Sequence, residues 1–130
     1  MNRLAKVVSA FIDALLWSEC DENSEPFDEN YSARDLSADT VATICADCAE
    51  FLRLCDAANL SDFDTLALRH NNSASIVNVG YDFCLTRNEH GAGFWDGDWD
   101  KGDELTAIAQ TFPPISLYLG DDGAVYHCAG

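Results

Sequence analysis

Five carboxylates fall within nine residues of this chain: Asp96, Asp98, Asp100, Asp103 and Glu104. Grouped carboxylates support three chemistries: they hold a hard cation, exchange protons with a substrate, or present fixed negative charge to a cationic surface. The first reading starts from Asp96-x-Asp98-x-Asp100, which opens like a calcium loop. An EF-hand then needs Gly at its sixth position and Glu at its twelfth, and Lys101 and Ala107 stand there. The second reading would use His70, His90 or His127, with His90 beside Asp82 or Asp96 as the best acid–base pair. No nucleophile elbow, H-E-x-x-H motif, Walker sequence or dinucleotide glycine pattern accompanies them. The sequence therefore predicts no catalytic site, no metal and no cofactor, and the third chemistry is left.

Alternate residues of an extended chain lie about 6.5–7 Å apart on one face, comparable to successive phosphates along one nucleic-acid strand. Asp96, Asp98 and Asp100 offer that spacing if their segment is extended. Asp121 and Asp122 extend the array, as does the acidic connector that carries Glu22, Glu25, Asp28 and Glu29. Trp99 and Trp95 are the aromatic residues beside the row. Trp99 is the expected anchor at the rim of an interface, and Trp95 is expected in the core.

Composition points the same way. The 130 residues form one expected domain, 1–130, long enough to bury a core, and 48% of them are hydrophobic, which argues against a disordered acidic tail. Against 23 acidic residues stand 7 basic ones, a formal net charge of −16. Seven scattered cations exclude nucleic acid itself as the default partner. The bland alternative is that the acidity serves only solubility. Six cysteines raise the question of disulfides or metal. However, Cys45-x-x-Cys48 has no second pair for zinc and sits mid-helix rather than at a helix start, so the thiols read as free core residues. The N-terminal apolar segment is amphipathic without a cleavage-site pattern, and no run approaches the roughly 20 apolar residues of a membrane span. A reducing cytoplasm is expected, without membrane contact.

Several elements must position these groups. Leu4, Val7, Val8, Phe11, Ile12, Leu15 and Leu16 recur at helical spacing and predict a helix over 2–18. Residues 20–32 form an acidic, turn-rich connector broken by Pro26 and pinned by Phe27 and Tyr31. Ser37 caps a second helix that ends near Asn59, and Ser61 caps a short third one through Arg69. His70–Ser73 is a connector and Ser75–Val79 a strand or extended lead-in. Tyr81–Arg87 and Ala92–Trp95 read as a hairpin turned through Asn88-Glu89-His90-Gly91. A helix over 103–112 stops at Pro113-Pro114. Ile115–Leu119 and Ala124–Cys128 flank Gly120-Asp121-Asp122-Gly123, a strong hairpin signal. The predicted class is α+β: N-terminal helices packed on a small antiparallel sheet of two hairpins, in the order ααα-ββ-α-ββ.

Leu16-Trp17-Ser18, the run DENSEPFDENYS, Cys45-Ala46-Asp47-Cys48, DFCLTRNEHGAGFWD and YLGDDGAVY resemble a family of small acidic proteins encoded by tailed bacteriophages. The resemblance spans most of the chain and follows the same order of motifs. Tyr81, where the family has His, and Cys84, where it has Trp, are departures. The phage setting implies a host-takeover role in an infected bacterial cytoplasm, where unrelated phage proteins inhibit host enzymes by imitating DNA. The expected partner is thus a host DNA-binding protein with a basic groove, DNA gyrase first, with restriction enzymes, CRISPR complexes and uracil-DNA glycosylase behind it. Homodimerisation is left open. The competing functions are a phage housekeeping or assembly module without mimicry, and a small hydrolase using His90 and carboxylates.

Overall fold

The computed structural model describes residues 2–68 and 75–129. The elements are α1 (Arg3–Ser18), α2 (Ala38–Ala57), α3 (Phe63–Leu66), α4 (Ser75–Arg87), α5 (Gly102–Ala109), β1 (Ile115–Leu119) and β2 (Val125–Ala129). Short 3-10 turns occupy Phe27–Glu29 and Ala33–Asp35 in the connector. The chain is thus mixed helix and sheet, with helices first and a two-stranded antiparallel sheet last. The third helix is capped by Asp62 rather than Ser61, its side chain accepting the Thr65 N–H, and it ends at Leu66 where Ala67 turns extended, short of the expected Arg69; the His70–Ser73 connector lies outside the described residues.

The ends of α1 and α2 follow from local chemistry. The Asn2 side chain accepts the Ala5 N–H at 2.7 Å, and Ser37 accepts the Thr40 N–H at 3.1 Å, each satisfying an amide that the helix leaves orphaned. α2 closes with Asn59 in the left-handed region (φ 60°), the Leu60 N–H reaching back to the Cys55 carbonyl at 2.8 Å.

Residues 81–95 form no hairpin. Tyr81–Arg87 is the second half of α4, and the sheet contains one hairpin, not two. The turn expected at Asn88–Gly91 is the C-terminal cap of that helix. Glu89 is left-handed (φ 58°), its N–H donates to the Thr86 carbonyl, and the His90 N–H donates to the Leu85 carbonyl at 2.9 Å. Two periodicities overlap in this segment. Tyr81, Phe83 and Leu85 alternate as in a strand, while Val79, Phe83 and Arg87, with Gly80 and Cys84, recur at four and make the buried helical face. The helical set prevails, and Gly80 lies on its buried face. A Cβ there would lie 2.5 Å from the Val7 carbonyl oxygen and 2.6 Å from the Ala10 Cβ, so only glycine lets α4 press directly onto α1.

α1 and α4 run parallel, since Lys6 neighbours Ile76, Ala10 meets Gly80, and Trp17 neighbours Leu85. α2 runs the opposite way, from Thr40 beside His127 of β2 (2.8 Å) to its end near Arg3, which donates to the Ser61 carbonyl and covers the Phe63 ring. Aromatic rings fill the space between. Phe51 stacks on Phe83 (4.2 Å between centroids) and Phe94 (5.7 Å), while Phe11 and Phe112 close on Phe83. Phe27 is buried and ties the acidic connector to this core, as expected from the sequence.

The hairpin caps the C-terminal ends of α1 and α4. Its inner edge is joined to the start of α2 by the Ser37 N–H to Val125 carbonyl bond. On its outer edge the Asn88 side chain accepts from the Ile115 N–H (2.7 Å) and donates to the Ile115 carbonyl (2.9 Å). Glu19 accepts the Leu117 N–H on the same edge at 3.2 Å.

Candidate functional site

The row of aspartates lies on the connector that returns from the end of α4 along its flank. Phe94 donates its N–H to the Thr86 hydroxyl, and further on Trp99 donates its indole N–H to Asp82 at 2.6 Å. Around Trp99 the backbone bonds to the segment after α3: the Leu68 N–H to the Asp98 carbonyl (2.8 Å) and the Asp100 N–H to the Leu66 carbonyl (2.7 Å). Alternation about this bridge turns Trp99 inward and aims Asp98 and Asp100 the other way. Asp96 breaks the series. It lies in a bend where its carboxylate accepts the Gly93 N–H at 3.4 Å, and Gly97 follows with φ 98°. The segment is therefore not an extended strand, and the evenly spaced three-carboxylate ladder does not form. Nor does it form a metal cage: among the described residues no three His, Cys, Asp or Glu converge on a metal-sized site.

Asp103 and Glu104 are exposed in the first turn of α5, where the helix dipole favours negative charge. The two tryptophans exchange their expected places. Trp99 is 4% exposed, edge-on to Phe63 and Phe94, and is a core residue rather than a rim anchor. Trp95 is 49% exposed. A buried indole needs a partner for its N–H, and Asp82, one turn before Thr86 on α4, supplies it.

The remaining acidic residues form a second patch. Glu22 and Asp121 line one shallow groove of about 380 Å³ together with Asp21 and Tyr118, so the hairpin tip does meet the acidic connector. Glu25 accepts from the Asn30 amide at 3.2 Å, and Asp28 and Glu29 are exposed on the 3-10 turn anchored by Phe27. Asp122 accepts the Tyr126 hydroxyl at 2.6 Å and the Ala124 N–H at 3.0 Å; these bonds, the hydroxyl's above all, hold its carboxyl below the ordinary value. This patch sits beyond the C-terminal end of α1. The Asp98–Asp100 bridge sits by Phe63 and Arg3 at the other end. Sixteen helical residues at about 1.5 Å each separate the two by roughly 24 Å.

Three of the arginines are engaged within the fold. Arg87, which sequence reasoning overlooked, is 2% exposed at the centre of the core. It pairs with Asp47 at 2.9 Å, donates Nε to the Pro113 carbonyl at 2.7 Å, and lies 5.4–5.9 Å from the Phe11, Phe83 and Phe112 ring centroids. Its only trace in the sequence is its place four residues after Phe83. Arg53 pairs with Glu50 on α2 (2.6 Å), and Arg3 is engaged with Ser61 and Phe63.

The buried thiols and His90 belong to other parts of the fold. All six cysteines are free. Burial pushes the Cys55 thiol up to about 12, and it raises Cys48 and Cys84 as well, so these three are inert core groups. His90 lines a small groove with Glu19, Asn88 and Cys128, its Nε2 buried without a partner. Asp82 and Asp96, its expected acid–base partners, accept from Trp99 and Gly93 instead. His70 is outside the described residues.

No family model matches this chain, and neither a curated protein nor a solved structure does.

Proposed function

We propose that this chain is a phage-encoded, non-enzymatic inhibitor that occupies the DNA-binding groove of a host enzyme, with DNA gyrase the first candidate. The observation that carries the reading is the charge imbalance. Against 23 acidic side chains the chain has 7 cations, and Arg87, Arg53 and Arg3 are spent on the core, on Glu50 and on the α2–α3 turn.

The charge is presented as two patches rather than one ladder. Asp96, Asp98, Asp100, Asp103 and Glu104 form one; Glu22, Glu25, Asp28, Glu29, Asp121 and Asp122 form the other. The Asp98–Asp100 bridge and the hairpin patch lie roughly 24 Å apart, about seven base-pair rises of 3.4 Å along a duplex axis. A rigid acidic body of that length engages the lysines and arginines that would otherwise hold a duplex. Those side chains are already arranged to neutralise phosphates, so the partner need not rearrange.

Capture from a bacterial lysate at low salt, followed by elution with duplex DNA, tests the proposal. A DNA-handling enzyme should elute with the duplex, and its capture should fall steeply as salt rises. A captured partner that ignores both salt and DNA would end the mimicry reading.

A further inference from the structure

The close α1–α4 contact at Gly80 sets the outer faces of the two helices side by side and leaves a groove of about 520 Å³ between them and the connector. Asp13 and Trp17, one turn apart on α1, form the first wall. Tyr81 and Leu85, one turn apart on α4, form the second, and Asp28 and Tyr31 of the connector close the third side. Three aromatic rings and two carboxylates therefore surround one space, and none of the residues lining it is cationic. Trp17 is 61% exposed, although it belongs to a helix whose other large apolar side chains are mostly buried. Tyr31 is fixed from behind by buried Phe27, with 5.8 Å between ring centroids, so this wall is part of the folded body.

We infer that this groove binds the guanidinium group of an arginine side chain on a basic protein partner. Aromatic faces attract cations through their quadrupole, most strongly for tryptophan. A guanidinium is the cation that both stacks flat on a ring and offers paired donors to a carboxylate. A lysine ammonium would gain the charge but lose the planar stacking. An anion would be repelled by Asp13 and Asp28. The inference rests on the DNA-mimic reading for the nature of its partner, and it gives that partner an anchor beyond phosphate imitation, in which one arginine of the basic groove inserts beside Trp17.

The test titrates the full chain with an acetylated, amidated glycine–arginine pentapeptide at low salt, and separately with its citrulline counterpart. The indole N–H resonances of the three tryptophans are followed by NMR. The Trp17 resonance should move with the arginine peptide and stay still with the neutral one. Trp17→Ala should weaken binding about fivefold, the loss expected for one partly exposed cation–π contact, and Trp17→Phe should restore most of it. Asp13→Asn with Asp28→Asn should weaken binding more than Asp39→Asn with Asp64→Asn, which removes the same charge elsewhere. Absent peptide binding, a still Trp17 resonance, or equal loss in both double variants would overturn the inference. Lysate capture released by DNA, beside a still Trp17, would leave the mimicry standing without this anchor; a moving Trp17 beside capture indifferent to DNA would do the reverse.

Discussion

Replacing Gly80 by Ala measures how much of the fold depends on α1 and α4 touching. Taken alone, alanine in a helix is favoured over glycine by about 1 kcal/mol. Against this stands the new methyl group, 2.5 Å from the Val7 carbonyl oxygen and 2.6 Å from the Ala10 Cβ. Neither atom belongs to a flexible side chain that could rotate away. Reaching ordinary contact at 3.4 Å requires the helices to part by roughly 0.9 Å, and a gap of that order forfeits a quarter to a half of each dispersion contact around it. Overpacking of this kind costs about 3 kcal/mol at the upper end of its usual range. Subtracting the propensity gain leaves a net loss of about 2 kcal/mol, or roughly 8 °C in Tm for a domain of this size. Urea unfolding followed by tryptophan fluorescence reads it directly. Gly91→Ala is the control, since nothing lies within 4 Å of a Cβ there. A Gly80→Ala protein as stable as its parent would refute the packing argument and with it the parallel α1–α4 pair at the base of the arginine groove.

Three further outcomes follow from the core and the hairpin. Arg87→Met should cost about 3 kcal/mol, the lower end for breaking a buried pair because Asp47 keeps 27% of its side chain exposed; adding Asp47→Leu should recover part of it, and a single variant at parental stability would refute the pairing. Trp99→Ala should cost about 3–5 kcal/mol in urea unfolding while Trp95→Ala costs under about 1 kcal/mol, and the reverse order would show that the wrong tryptophan has been placed in the core. Tyr126→Phe should raise the Asp122 carboxyl toward its ordinary 3.8, as read by NMR titration. Because the folded value is the lower one, the contribution of Asp122 is present above that pH and is lost as pH falls through the folded value, so an unchanged titration midpoint in the variant would remove the Tyr126 bond as its cause.

The parts of the fold legible in the sequence are those where one signal acts alone. Ser37 before a helical stripe and Gly120-Asp121-Asp122-Gly123 between alternating strands each had no competitor, whereas the helix expected to run to Pro113-Pro114 ends earlier, at Ala109. α4 was illegible because it is rich in residues that favour strands and is buried around much of its circumference, so polar positions do not mark out a solvent face. Its buried face also includes Arg87 and Gly80, which no hydrophobic pattern counts as core. Their reasons for burial, an ion pair from α2 and a carbonyl of α1, are tertiary. Trp95 and Trp99 could not be told apart for a similar cause. Both stand beside aspartates, and only Asp82, more than a dozen residues earlier, decides which indole turns inward. The acidic patches were legible as composition but not as geometry, because a left-handed turn at Gly97 is enough to spoil an even ladder.

The Asn88 amide and the Glu19 carboxylate along β1 bear on how the protein behaves in a crowded cell. An open strand flank is a template on which another molecule can lay its own backbone, and growth by such additions ends in fibrils. Here both hydrogen-bonding groups of Ile115 and the amide of Leu117 are already occupied by side chains from helix ends. This flank of β1 is thereby less available to a neighbouring strand.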